Sequence, residues 1–197
     1  KRPNTSVARA NEHRTSATAE DFWRSTGGPP GGDVLSMVSS ANGYVFAGTL
    51  GGGVFRSSDN GATWMVKNNG LTATDVRALA LNAAGDLFAG TYGGVFRSTD
   101  DGETWTAVNS GLDYPFVIAL AINANGDVFA GTFEGGGVYR STDNGASWTL
   151  TGNGLDTTYV LSPAINAQGA HLSGTGGAGS DRAARAGARG PETSARG

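Results

Sequence analysis

Three arginines, each standing just before an aspartate-bearing segment, form the arrangement in this chain that is best suited to chemistry. They are Arg56, Arg97 and Arg140, and clustered guanidinium groups can hold a substrate carboxylate through paired hydrogen bonds. Each arginine precedes the same eight-residue segment, so the three occupy equivalent places in successive units. This equivalence predicts a repeated structural or surface arginine and not one converging anion site.

Other catalytic groups are scarce. Histidine occurs only at His13 and His171, outside the repeated units, which leaves no general base for a Ser-His-Asp arrangement within them. The pair Asp100 and Asp101 is not repeated, and adjacent side chains near a turn diverge, so no metal site is predicted. The chain has no cysteine, which excludes a thiolate nucleophile or ligand. We therefore predict no catalytic residue, no metal and no cofactor.

The composition predicts an all-β protein. Of 197 residues, 38% are hydrophobic and 16% are charged, and 33 glycines separate short runs rich in Val, Phe, Ile and Thr. The net charge of -3 gives no broad attraction to nucleic acid or to anionic lipid. No apolar stretch approaches the roughly 20 residues needed to cross a bilayer. Nucleic-acid binding and membrane insertion are therefore not expected.

The eight-residue segment Ser-x-Asp-x-Gly-x-Thr/Ser-Trp occurs at 57–64, 98–105 and 141–148, with steps of 41 and 43 residues. Its aspartate can accept hydrogen bonds from backbone N–H groups of its own turn, and its glycine lets the turn close. Its tryptophan is predicted to lie in the following strand and to fill the wedge between adjacent sheets. The residues to which we assign this structural role are Ser57, Asp59, Gly61, Trp64, Ser98, Asp100, Gly102, Trp105, Ser141, Asp143, Gly145 and Trp148.

Each unit is predicted to form four short strands, which in the third unit cover 117–123, 127–132, 137–141 and 146–151. The first of these strands is apolar on both sides, with Val117, Ala119 and Ala121 alternating with Ile118, Leu120 and Ile122. Burial of both faces requires a neighbouring sheet on each side, and radially arranged blades meet this requirement. The sequence thus predicts a partial β-propeller with four-stranded antiparallel blades.

Three blades are predicted, at 34–75, 76–116 and 117–159, followed by a partial blade at 160–175. Before them lie a disordered leader at 1–15 and a candidate N-terminal closing strand at 16–33. A disordered Ala/Arg/Gly-rich tail at 176–197 follows the partial blade. The closing strand depends on Trp23, which lies 41 residues before Trp64; the alternative is an isolated tryptophan in the leader. The tail is either native or an out-of-frame continuation of the repeat. Uncovered apolar end faces predict a fragment of a larger propeller or self-association that completes the ring.

The repeated segments resemble Asp-box, or bacterial neuraminidase, repeats. The run Gly-Thr-x-Gly-Gly-Val-Phe-Arg-Ser-Thr-Asp is most similar to propellers of the photosystem II stability/assembly factor type and of bacterial sensor type. The resemblance implies that the Asp-box lies away from the ligand site. A sialidase would also need a tyrosine nucleophile with a glutamate partner, and the Phe/Tyr-Arg-Ile-Pro segment that introduces such a site is not found.

The edge opposite the repeated segments is the predicted ligand site. In a meander, the second turn and the connector between blades share that edge, and their residues differ from unit to unit, which is where selective contacts arise. The candidate ligand-binding residues are Tyr92, Asp113, Tyr114, Phe116, Phe133, Glu134 and Tyr159. The alternative is that these aromatic rings only cap the ends of the sheets.

We therefore expect a non-catalytic scaffold that binds a protein or carbohydrate ligand through the variable edge. The alternative function is a remnant of a sialidase-like or xyloglucanase-like glycoside hydrolase whose catalytic residues lie outside this chain. The sequence does not assign a compartment, and an extracellular or cell-envelope location is the favoured alternative.

Overall fold

The computed structural model describes residues 27–133 and 136–151, together with the backbone of two later strands. The described strands are β1 Val34–Ser39, β2 Val45–Thr49, β3 Gly53–Ser57, β4 Met65–Val66, β5 Val76–Leu81, β6 Leu87–Thr91, β7 Gly94–Ser98, β8 Thr106–Ala107, β9 Val117–Ile122, β10 Val128–Thr132, β11 Val138–Ser141, β12 Thr149–Leu150, β13 Val160–Ile165 and β14 His171–Thr175. They form three four-stranded sheets, β1–β4, β5–β8 and β9–β12, and the hairpin β13–β14. Strands that are consecutive in the chain pair antiparallel within each sheet, which confirms the predicted all-β fold of four-stranded meanders.

The last strand of each sheet is shorter than the sequence predicts. β12 comprises only Thr149–Leu150, whereas the predicted strand covers 146–151. Trp148 still belongs to the preceding loop, because its backbone N–H donates to the carbonyl oxygen of Ser110 at 2.9 Å and makes no ladder bond to β11. The prediction that the tryptophan lies in the strand is therefore wrong: it lies immediately before the strand.

A β-bulge interrupts the first strand of every sheet. In β5, Val76 pairs with Thr91 and Ala78 pairs with Gly90, so the intervening Arg77 has no residue opposite it. The same shift leaves out Leu35 in β1 and Ile118 in β9. A bulge adds one residue to one strand and changes the direction in which side chains point. The three bulge residues therefore stand at one register position, near the start of each first strand.

The bulge changes which residues of β9 share a face, so the alternation along β9 differs from the predicted one. A β-carbon added at Gly90 in the second sheet would contact side-chain atoms of both Val117 and Leu120, at 2.8 and 3.3 Å. In a regular strand, residues three apart point to opposite faces. The extra residue between Val117 and Ala119 shifts the phase, so Val117 and Leu120 face the same neighbouring sheet. The prediction that Val117 and Leu120 lie on opposite faces is therefore wrong.

An apolar core lies between each pair of neighbouring four-stranded sheets. The first core joins Phe46 and Val54 of the first sheet to Val76, Leu79 and other side chains of the second. The second core joins the second and third sheets; its main buried members are Phe88, Val95, Leu112, Val117, Val128, Ala130, Tyr139 and Trp148. The middle sheet is thus buried on both faces, as the apolar pattern predicts. The first strands also contact one another in order, β1 with β5, β5 with β9 and β9 with β13.

Each buried tryptophan connects its sheet to the preceding one. The indole Nε1 of Trp105 donates to the carbonyl oxygen of Lys67 at 2.8 Å, and that of Trp148 donates to the carbonyl oxygen of Val108 at 2.7 Å. Both acceptors lie in connectors, the segments 67–75 and 108–116 that run between consecutive sheets. Both rings are only 4% exposed. The tryptophan thus combines apolar burial with a hydrogen bond across the boundary between sheets.

Several predictions about the ends of the chain lie outside the described residues. These are the leader at 1–15, the part of the candidate closing strand that contains Trp23, and the tail at 176–197. Residues 27–33, the described part of the segment 16–33, contain bends but no strand. Within the described ranges, no helix has both the length and the apolar character needed to cross a membrane.

Candidate functional site

The eight-residue loops are closed by the same hydrogen bonds in all three sheets. In the second sheet, the buried Ser98 hydroxyl accepts the N–H of Gly102 at 2.9 Å and donates to Oδ1 of Asp100 at 2.8 Å. The two carboxylate oxygens of Asp100 accept the N–H and the hydroxyl of Thr104, at 2.9 and 2.6 Å. The residue after each aspartate, Asp101 in this loop, adopts a left-handed φ of 55°. The serine hydroxyl and the aspartate carboxylate of the motif thus form their hydrogen bonds within their own loop.

These hydrogen bonds favour the ionised form of the loop aspartates. The side-chain hydrogen bond from Thr63 lowers the pKa of Asp59 to about 2, and that from Ser147 lowers the pKa of Asp143 to about 2. The hydroxyl of Thr104 lowers the pKa of Asp100 in the same way. The carboxylates in these loops therefore act as hydrogen-bond acceptors that stay ionised well below neutral pH, not as proton donors.

The lowered pKa values predict a loss of stability in acid. A group whose pKa is lower in the folded state stabilises the fold above its unfolded pKa, near 3.9, and this contribution is lost as the pH falls toward its folded pKa. We expect the free energy of unfolding to fall between about pH 4 and pH 2, the span between those two values. The fall should be smaller in the triple variant Asp59→Asn, Asp100→Asn and Asp143→Asn. Urea denaturation at a series of pH values measures this difference, and parallel curves for the two proteins would contradict it.

The three repeated arginines are held in ion pairs within the described residues. Arg97 pairs with Asp86 and Arg140 pairs with Asp127, each with an N–O distance of 2.6 Å. The equivalent of these aspartates in the first sheet is Tyr44, over whose ring Arg56 lies. Arg56 also reaches the next sheet, where it pairs with Glu103 at 2.9 Å. As the sequence predicts, these arginines are structural and do not converge on one site.

A cavity of about 300 Å³ opens at the opposite edge, where the first strands begin. Its lining consists of the three bulge residues and two aromatic rings: Leu35, Arg77, Ile118, Tyr92 and Phe133. The bulges bring three consecutive sheets to this one opening, and the turns β6–β7 and β10–β11 supply the rings. A volume of this size suits a single side chain or a comparably small group.

The structure brings together some of the predicted ligand-binding residues and separates others. Tyr92 and Phe133 line the cavity, and the ring of Phe116 packs against that of Tyr92 with centroids 5.2 Å apart. Tyr114 lies in the same connector but is not part of the lining; a β-carbon added at Gly136 would be only 2.6 Å from it. Glu134 and Tyr159 lie outside the described residues.

Asp113 lies beside Tyr139, a core residue, and not in the cavity lining. Burial raises the pKa of the Tyr139 hydroxyl, and the nearby charge of Asp113 raises it further. Tyr139 is 2% exposed and takes the place that Phe55 and Phe96 occupy in the other sheets. Its contact with Asp113 therefore links the third sheet to the connector before it.

Three lining residues, Leu35, Arg77 and Ile118, are not among the ligand-binding residues predicted from the sequence, and Arg77 is the charged one. Its guanidinium carbon lies 4.6 Å from the centroid of the Tyr92 ring, and Nη2 donates to the Tyr92 hydroxyl at 2.8 Å. Its equivalents in the neighbouring units are Leu35 and Ile118. A lone charged residue at a position that is otherwise apolar is the feature that could have identified it.

Residues 27–133 and 136–151 contain no group of three or more His, Cys, Asp or Glu side chains that could hold a metal ion. Asp100, which the sequence analysis considered for such a role with Asp101, uses both carboxylate oxygens within its loop.

Successive four-stranded sheets that pack face to face, with their first strands in contact, define the class of β-propeller domains. The chain belongs to the DUF6242 beta propeller domain family, whose model matches residues 44–195. Solved structures that are similar to it include the extracellular domain of a one component system, a GH74 xyloglucanase and YCF48. No curated protein matches the sequence.

Three solved structures illustrate this likeness. The extracellular domain of BT4673, a B. thetaiotaomicron protein named as a one component system, is 18% identical with a TM-score of 0.60, over 73% of this chain and 20% of that one. A GH74 xyloglucanase from Xanthomonas campestris is 19% identical with a TM-score of 0.62, over 78% and 29%. YCF48 bound to a D1 peptide is 14% identical with a TM-score of 0.53, over 72% and 46%.

The chain spans less than half the length of each of these proteins, and about a fifth of the BT4673 extracellular domain. At these identities the likeness shows the fold alone. Because the three include an extracellular domain of a one component system, an enzyme and a peptide complex, the shared fold does not decide between binding and catalysis.

Proposed function

We propose that this chain is a non-catalytic propeller segment that binds a protein segment or a glycan at the variable edge. The observation that carries the proposal is the cavity, because three sheets and two aromatic rings converge on it. Its lining offers apolar surface, aromatic faces and one guanidinium group, a combination that suits recognition. Among the lining residues that the structure describes, none carries a carboxylate, and the Tyr92 phenol is the one hydroxyl group.

The positions of the aromatic rings also support binding. Tyr92 and Phe116 are each 37% exposed, although they pack against one another, and the half-buried Phe133 closes one side of the cavity. Tyrosine and phenylalanine give large contact areas at a small entropic cost, which is why they are common at binding surfaces. The backbone holds this edge in place, since the Phe133 N–H donates to the carbonyl oxygen of Phe116 at 2.8 Å.

The structure of YCF48 bound to a D1 peptide supports a peptide-like ligand, because that protein shares the fold. The likeness to a xyloglucanase keeps a glycan among the ligand classes to be tested. The alternative of a glycoside hydrolase remnant depends on residues beyond those described.

The test is a screen of the full chain against a peptide library and a glycan array, followed by variants of the cavity. We expect the double variant Tyr92→Ala and Phe133→Ala to weaken binding of any ligand found by about tenfold or more, as removal of central aromatic contacts does. The matched control is Thr99→Ala and Thr142→Ala, two exposed changes at the opposite edge, which should leave affinity unchanged. Circular dichroism establishes that both variants fold.

Two results would overturn the proposal. One is a ligand whose affinity does not change in the folded cavity variant. The other is turnover of fluorogenic glycosides that a single carboxylate substitution abolishes, since the chain would then be a hydrolase.

A further inference from the structure

The guanidinium group of Arg77 differs from those of the other described arginines in having no carboxylate partner. Arg56, Arg97 and Arg140 each pair with a carboxylate at 2.6–2.9 Å. Within residues 27–133 and 136–151, Arg77 forms no ion pair, and its single protein hydrogen bond goes to the neutral hydroxyl of Tyr92. A partly buried charge without a counterion is energetically costly unless something else compensates it.

One donor of Arg77 is both buried and unused. Its Nε is inaccessible to solvent and has no hydrogen-bond partner among the described residues. The Tyr92 ring stabilises one face of the guanidinium plane through a cation–π contact, with 4.6 Å between the Arg77 Cζ and the ring centroid. The group is therefore held in a fixed orientation. The donor that stays available to a ligand is Nη1, which is not among the buried atoms and makes no hydrogen bond to the described residues.

The walls around this cation are apolar. Leu35 and Ile118 occupy the same register position in the neighbouring sheets, and Phe133 is a further part of the lining. Aliphatic and phenyl side chains give a sugar no hydrogen-bond partners for its hydroxyl groups, whereas they suit an apolar side chain. One guanidinium group also balances one negative charge, which matches a carboxylate better than a doubly charged phosphate.

We infer that the cavity binds a carboxylate group next to an apolar side chain in a peptide segment, with Arg77 as the receptor for the carboxylate. This inference rests on the proposed function and names the ligand chemistry of the same site. The carboxylate accepts hydrogen bonds from the guanidinium edge, and the apolar side chain contacts Leu35, Ile118 and Phe133.

The experiment uses three small probes and the full chain. N-acetylphenylalanine carries both the carboxylate and the apolar ring. N-acetylphenylalanine amide keeps the ring but has no negative charge. Glucuronate carries a carboxylate on a sugar. Binding is measured by NMR titration at neutral pH and low salt. We expect N-acetylphenylalanine to bind about tenfold or more tightly than its amide, because a hydrogen bond to a charged group contributes about that factor. Glucuronate should bind more weakly than N-acetylphenylalanine.

The variant Arg77→Leu places at this position the residue that the first sheet carries as Leu35, so it is chosen to preserve folding. It should bind the acid and the amide equally, whereas Arg77→Lys should retain part of the preference for the acid. The control is Lys67→Gln, which removes one positive charge at the opposite edge, where Lys67 pairs with Glu103; it should keep the full preference. A melting curve verifies that each variant is folded.

The outcomes separate this inference from the proposed function. If the amide binds as tightly as the acid and Arg77→Leu changes neither affinity, the carboxylate assignment is overturned while the cavity remains a binding site. Tighter binding of glucuronate would overturn the peptide assignment in favour of an acidic sugar. If none of the probes binds and no library ligand depends on the cavity residues, both proposals fail.

Discussion

Replacing Trp105 by alanine is expected to lower the free energy of unfolding by about 3–5 kcal/mol. The ring is 4% exposed and packs in the core between the first and second sheets, where Leu71 and Phe96 are among its neighbours in the cluster. Its removal leaves a cavity at that boundary and also deletes the hydrogen bond to Lys67. Urea denaturation followed by far-ultraviolet circular dichroism measures the loss.

A pair of phenylalanine variants separates the hydrogen bond from the ring. Trp105→Phe deletes the indole N–H that donates across the boundary between sheets. We expect it to lower the free energy of unfolding by about 0.5–1.5 kcal/mol more than Trp64→Phe does. The comparison is matched because Trp64 occupies the same place in its loop, yet its buried Nε1 has no acceptor among the described residues. Equal losses in the two variants would show that the bond to Lys67 contributes nothing measurable.

Gly70→Ala is expected to destabilise the protein by about 2–5 kcal/mol. Gly70 has a φ of +83°, and a β-carbon there would lie 2.2 Å from the backbone carbonyl oxygen of Trp105. A left-handed conformation costs a residue with a β-carbon about 1–2 kcal/mol, and overpacking against fixed backbone adds about 1–3 kcal/mol. The connector must then move away from the tryptophan loop that rests on it.

Gly85→Ala is the control for this prediction. Gly85 has a similar φ of +91° but nothing within 4 Å of the added β-carbon. Its replacement should therefore cost only the conformational penalty of about 1–2 kcal/mol. If both variants lose the same stability in urea denaturation, the close approach of Gly70 to Trp105 is not important for the fold.

The repeat made the fold predictable from the sequence. Equivalent loops at fixed spacing, glycine-bearing turns and first strands that are apolar on both sides all indicated stacked four-stranded sheets, and the family match confirms a β-propeller domain. The ends of the strands were less predictable. The backbone N–H of Trp148 donates to the preceding connector and not to the neighbouring strand β11. The alternation of residues in the sequence gives no information about such a contact.

The candidate site was predicted only in part, for a physical reason. Variability between units pointed to Tyr92 and Phe133, which do line the cavity. It did not point to Arg77, because a regular strand assigns each residue to a face by simple alternation and the bulge breaks that rule. The ion pair between Arg56 and Glu103 was not predictable either, because Glu103 belongs to the next sheet and is distant in the sequence.

The repeated bulge has a consequence for how such a protein could change its specificity. The bulge residue has no cross-strand partner in any of the four hairpins, including the one in which Val160 and Ser162 flank position 161. Three of these positions, Leu35, Arg77 and Ile118, line the cavity, and their side chains are not members of the two cores. Each sheet thus contributes one bulge residue that can be replaced without a change in strand pairing. Single substitutions at these residues would therefore be a route to altered specificity of the proposed binding site.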